Sequence, residues 1–270
     1  MRTYDNSVVI FYGRNINMGV EDNVGNMLLE TVSNMPGFKV YRNIFLKDIL
    51  KQKDFDNDDI NKALEGSILD VLTLSEIENI ANKRIFIQKG KVTALSAVLG
   101  IPGGAAMVAS APTDVVQFLY FSGILAQELA YLYGYNDLWD STNNSIEGYD
   151  AIILFIGTML GVGAASQVVK EITSRLAEHV PKQMMNKALS KNFIYKATKE
   201  VLKFIGIKVT KDKFTKSIGK AIPIFGAVIS GGMTYYSFGK CAIELRDKLN
   251  EGIKDKNNIC NGDNTTINME

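Results

Sequence analysis

The chain has 270 residues, 46% of them apolar and 22% charged, with a net charge of +1. This is the usage of an ordinary globular protein, and the mean hydropathy of +0.02 is far below that of a multi-span membrane protein. Two cysteines, Cys241 in an apolar stretch and Cys260 in a polar one, exclude a disulfide framework and fit a reducing compartment.

Helical periodicity runs through the readable sequence and strand-like alternation is nearly absent, so the expected fold is all-α, a multi-helix globular bundle with glycine-rich central helices. Val8–Tyr12 is open between strand and helix, and is too short for the apolar core of a signal peptide, so export is not expected. Asn23–Met35 reads as a helix stopped by Met35-Pro36-Gly37, and Ile44–Leu50 as a short one. After the acidic run 54–59, Asp58 or Asp59 is suited to cap a helix reaching about Leu72. Thr73 or Ser75 suits the next, with Glu76 and Glu78 in its favourable first turn.

That second helix runs towards Leu99 and stops at Gly100-Ile-Pro-Gly-Gly104. Pro112-Thr-Asp114 opens another, ending at Tyr133 with Gly134 as the stop, and 138–147 reads as a polar loop. Tyr149–Ala177 is one long helix or two joined near Gly161-Val162-Gly163. Shorter helices are expected over 183–206, and a last long one from Ile222 to about Leu249. The expected units are an N-terminal helical segment 1–72, a helical domain 73–249 and a disordered polar tail 250–270.

Charge is unevenly spread. Residues 1–80 carry 8 Lys/Arg against 13 Asp/Glu, whereas 170–220 carry 13 against 4. In the second region Lys196, Lys199, Lys203, Lys208 and Lys211 recur among Phe193, Ile194, Ala197, Val201 and Phe204. Such a face suits an anionic membrane surface or an acidic protein partner, or is a solvated face paired with the acidic N-terminal segment. Nucleic acid would use the same charge, but no zinc-finger or RNA-binding signature accompanies it, so it is not an expected partner.

Three stretches lack Asp, Glu, Lys and Arg: Val92–Thr113, Ala151–Val169 and Ala221–Gly239. Each approaches the roughly 20 residues of a membrane-spanning helix. Gly157, Gly161, Gly226, Gly231 and Gly232 within them serve either close packing of core helices or insertion and helix association in a bilayer, Gly157 and Gly161 having GxxxG spacing.

No catalytic residue and no cofactor is expected. One histidine, His179, sits near Pro181 where a helix-end role suits it better than catalysis, and no phosphate-binding loop, zinc-protease motif or serine elbow is present. No metal site is expected either. A polar stripe of Asp114, Gln117 and Glu128 falls along one helix face with Phe121 and Ile124. It is either an acidic pocket or a cap plus an ion pair of Glu128 with Lys89 or Lys91. Tyr131, Tyr133, Tyr135 and Trp139 at the other end suit core, partner surface or interfacial belt.

Gly100-Ile-Pro-Gly-Gly104, then Pro112-Thr-Asp114 and an apolar helix ending Ala130-Tyr-Leu-Tyr-Gly-Tyr135, resembles the central block of the EcsC family. Ala221-Ile-Pro-Ile-Phe-Gly-Ala-Val-Ile-Ser-Gly-Gly232, with Gly239 and Ala242, is similar to its C-terminal glycine-rich helix. Both blocks occur in order within 75–249. The resemblance implies a bacterial, helical protein of a family without an agreed activity, loosely likened to hydrolases. Where that family often has a polar residue after the Pro-x-Asp start, this chain has Phe118-Leu-Tyr-Phe121. The leading expectation is a non-enzymatic, cytoplasmic membrane-associating protein, peripheral or inducibly inserted at the inner membrane, serving as an effector or accessory factor in stress or phage defence. The alternatives are an amphiphile-binding or hydrolase-like domain with an acidic pocket, and a protein-interaction module; an oligomer is compatible with each.

Overall fold

Local capping chemistry sets the helix starts. The Thr73 hydroxyl accepts from the Glu76 N–H at 3.3 Å while the Glu76 carboxylate accepts from the Thr73 N–H at 2.9 Å, a capping box of the kind expected. The preceding helix begins earlier than expected. Asp56, rather than Asp58 or Asp59, is its cap, accepting from the Asp59 N–H at 2.8 Å, and this places Asp58 and Asp59 in the positive first turn. It ends at Glu65 rather than near Leu72, because Ser67 and Asp70 close a second capping box over the 3-10 turn Ile68–Asp70.

The computed structural model describes residues 20–97, 113–140, 148–178, 191–210 and 231–262. Among these the chain is all-helical: α1 Val20–Ser33, α2 Arg42–Lys51, α3 Asn57–Glu65, α4 Leu74–Ala97, α5 Thr113–Leu132, α6 Gly148–Met159, α7 Gly163–Ala177, α8 Lys191–Thr210 and α9 Gly231–Gly262. Val8–Tyr12, His179, the Gly100–Gly104 cluster, Lys211 and Gly226 lie outside the described residues.

Helix α5 is the centre of the bundle, packed on α1, α2, α4, α6 and α9. Its Val115–Leu132 segment has a mean hydropathy of 1.3 and is, among the described residues, the one helix long and apolar enough to cross a membrane. With 89% of that segment buried, its apolar character is satisfied inside the protein. Three pairings fix its neighbours. Phe118 meets Phe238 edge-on and Tyr133 meets Asn250, so α5 and α9 run parallel. Gln117 reaches Val92 and Glu128 reaches Arg84, so α4 runs antiparallel to α5.

The charge-free stretch Ala151–Val169 is two helices, not one span. α6 and α7 meet at 120°, and residues Ala151–Met159 are all buried. The turn between them is a Schellman cap: the Gly161 N–H donates to the Thr158 carbonyl at 3.0 Å and the Val162 N–H to the Gly157 carbonyl at 2.9 Å. Gly161 has φ +77°, a left-handed conformation that only glycine takes cheaply. Gly134 ends α5 in the same way, at φ +88°.

Two expected boundaries differ. Residues 20–72 are not a separate N-terminal segment: α1 packs along α8, with Gly25 under the Leu202 backbone, and α2 packs on α5. The polar tail does not begin at 250, because α9 continues to Gly262 and buries Asn250 and Ile253. Likewise one 20-residue helix, α8, stands where shorter ones were expected.

Candidate functional site

The polar stripe of α5 faces α4. Both carboxylate oxygens of Glu128 are taken: Oε2 accepts from Arg84 Nε at 3.0 Å, and Oε1 accepts from Arg84 Nη2 and from Gln88 Nε2, the latter at 2.9 Å. The partner is therefore Arg84, between one and two turns before the expected Lys89 or Lys91. Lys89 points elsewhere, its stem lying against Gly239 of α9. The Arg84 guanidinium also stacks over the Phe45 ring at 5.5 Å. A two-pronged arginine pair on a buried carboxylate holds two helices together, and it leaves Glu128 no oxygen aimed at a substrate.

Gln117 is structural too, donating to the Val92 carbonyl at 3.0 Å near the end of α4. Asp114 is the second residue of α5, almost four turns from Glu128. Gln117 and Glu128 of the stripe thus join α5 to α4, and the Asp114 side chain lies outside the described residues.

The tyrosines at the far end of α5 are core. Tyr131 donates to the Val40 carbonyl at 2.8 Å, Tyr133 to Asn250 Oδ1 at 2.5 Å, and Tyr135 shares a 2.9 Å bond with Thr173. Burial holds all three phenols above their ordinary pKa. Gln127 completes this region, accepting from the Trp139 indole at 2.8 Å and from the Val40 N–H at 2.9 Å.

Sequence reasoning missed Arg42, a buried arginine whose guanidinium donates to the carbonyls of Ala63, Leu64, Gly66 and Tyr135 at 2.9–3.2 Å. It joins the C-terminal ends of α3 and α5, where the helix dipoles favour a cation. Desolvation pulls its pKa below the ordinary value, with Asp137 opposing.

Sequence reasoning also missed an open polar cleft of about 360 Å³ between α4 and α9, lined by Glu78, Asn82, Arg246, Asp247, Asn250 and Lys254 among others. Its charges are mutually matched: Lys254 reaches Glu78 at 3.4 Å and Arg246 reaches Asp247 at 2.6 Å. The signal was the i, i+4 polar series Arg246, Asn250, Lys254, readable once the helix is carried past Leu249.

The basic residues of α8 divide. Lys196 and Lys203 are exposed, whereas Lys199 lies 3.7 Å from the buried carboxylate of Asp22 on α1. Ala197, Val201 and Ile205 are core, so the apolar side of α8 faces the bundle. Lys208 lies in the last turn of α8. The glycines divide as well: a Cβ on Gly157 would stand 2.2 Å from Val201 and 2.9 Å from Ala165, making it a contact point of three helices, while Gly161 is a turn residue. Gly231 and Gly232 open α9.

Among the described residues no group of three His, Cys, Asp or Glu is placed to hold a metal ion. Burial raises the Cys241 thiol to about 12, which keeps it protonated and unreactive at neutral pH. The chain matches no family model, no curated protein and no solved structure.

Proposed function

We propose that this chain is a non-enzymatic, membrane-associating helical protein of the EcsC type, docking on an anionic bilayer from the cytoplasmic side. One relationship carries the proposal. Because α4 is antiparallel to both α5 and α9, the end of α4 at Ala97, the start of α5 at Thr113 and the start of α9 at Gly231 share one pole of the bundle. The segments attached at that pole, 98–112 and 221–230, contain no charged residue. Apolar, glycine-rich sequence joined to one end of a folded bundle suits a reversible membrane contact. An effector or accessory role in bacterial stress or phage defence belongs to the same proposal, motivated by charge-free sequence carried within a chain of globular composition.

The acidic-pocket alternative loses the support of Glu128, whose carboxylate is held by Arg84 and Gln88. The test is flotation of the full chain with phosphatidylcholine vesicles, with and without phosphatidylserine, scoring dye release in the same tubes. Salt-sensitive binding to the anionic vesicles is expected, with leakage if the segments insert. Absence of binding to either vesicle overturns the proposal.

A further inference from the structure

The solvent side of the α4–α9 seam carries three large exposed apolar side chains. Phe86 is 67% exposed, Tyr236 69% and Ile243 40%. Their spacing places them together. The two helices meet through Asn82 and Arg246, Lys89 and Gly239, and Glu78 and Asn250. Phe86 lies four residues after Asn82 and three before Lys89, while Tyr236 and Ile243 lie three before and four after Gly239. Residues three and four apart share a helix face, so all three line the outer lips of one seam.

The same stretch is basic. Lys83 and Lys240 are exposed, and the stem of Lys89 crosses Gly239, where a Cβ would stand 2.7 Å from its Cε. The acid on this part of the seam is Glu244. Farther from the pole the seam becomes the polar cleft, where Glu78, Asp247 and Glu251 each face a cation. The apolar, lysine-bearing part therefore lies on the pole side of the cleft, with Tyr236 in the second turn of α9 and Phe86 at the middle of α4.

We propose that this part of the seam is the surface by which the chain docks on an anionic lipid leaflet, with Phe86 and Tyr236 seated at the headgroup boundary and Lys83 and Lys240 on the phosphates. The proposal rests on the membrane reading above and locates it. Charge complementarity favours a lipid leaflet, and so do the exposed rings beside the lysines: a leaflet takes up rings and charges at once, whereas an acidic protein would use the lysines alone. Helix α8 is the weaker candidate, because Ala197, Val201 and Ile205 are buried and Phe193, 39% exposed, is the one large exposed apolar side chain among its described residues.

The test is flotation of the full chain with phosphatidylserine-containing vesicles for three paired variants: Phe86→Ser with Tyr236→Ser, Lys83→Glu with Lys240→Glu, and Lys196→Glu with Lys203→Glu on α8. All six positions are exposed, and circular dichroism melting confirms that each variant folds. Both seam pairs are expected to lower partitioning at least about tenfold, and the α8 pair to change it less than about twofold. A wild-type chain that floats while the seam pairs float equally well overturns the docking assignment and leaves membrane association standing. Loss in the α8 pair alone has the same meaning. A wild-type chain that does not float overturns both, and a lipid-free dimer dissolved by Phe86→Ser with Tyr236→Ser reassigns the seam to self-association.

Discussion

Arg84 and Glu128 meet across α4 and α5 as a two-pronged ion pair, with Gln88 donating to the same carboxylate. Glu128 is buried, whereas the Arg84 side chain keeps 20% of its exposure. Removing the carboxylate strands a largely desolvated guanidinium, so Glu128→Gln is expected to cost about 2–3 kcal/mol in urea denaturation at constant m. Replacing both residues by methionine should recover most of that loss. A neutral Glu128→Gln would show that the pair contributes only as a solvated contact does.

Gly157 and Gly161 have the same spacing as a membrane packing motif but separate tasks. Gly157→Ala should cost about 1–3 kcal/mol by overpacking against Val201, and Val201→Ala should relieve part of it. Gly161→Ala meets nothing within 4 Å and should cost only the left-handed backbone strain, about 1 kcal/mol, with no rescue by Val201→Ala. Thermal melts of the four variants separate packing from strain.

Arg42→Met leaves the carbonyls of Ala63, Leu64, Gly66 and Tyr135 without their donor. A loss of at least about 3 kcal/mol is expected, and Arg42→Lys, which lacks the planar fork, should recover less than half of it. Denaturant unfolding of both variants is the measurement.

Tyr131, Tyr133, Tyr135 and Tyr149 are held neutral by burial, their folded pKa values lying above the ordinary 10.0. The unfolded chain releases these protons first as pH rises, so stability is intact below pH 10 and falls above it. Phenolate absorbance at alkaline pH should therefore appear in step with loss of the helical signal. At the acid end Glu76 lies below its ordinary value, chiefly through the Thr73 N–H, so its contribution is present above pH 4.5 and fades as pH falls through its folded value.

Truncation after residue 262 should leave the melting temperature nearly unchanged, whereas truncation after Leu249 should lower it by several degrees. The shorter chain loses Asn250, the link between Tyr133 and Glu78, together with buried Ile253. Equal melting temperatures for the two truncations would restore the expectation of a polar tail from 250.

Elements whose cause is local were legible in the chain itself. Thr73 and Glu76 close their capping box with groups three residues apart, Gly134 ends α5 because its φ excludes side chains, and the apolar period of 3.6 marks the all-helical class. Other features were illegible because they depend on register between helices. Glu128 selects Arg84 over Lys89 only once α4 and α5 are laid antiparallel, and Asn250 reads as tail until Tyr133 is set beside it. Sequence alone determined that the chain is helical, where most of its helices begin, and that its charge-free segments are confined to a few places. Tertiary structure alone decided that Ala151–Val169 folds into the core at 120°, that Gln117 and Glu128 join α5 to α4, and that Phe86, Tyr236 and Ile243 share one outer seam. The reason is physical: caps and periodicity act within about one turn, whereas burial and ion-pair partners are fixed by which helices lie side by side.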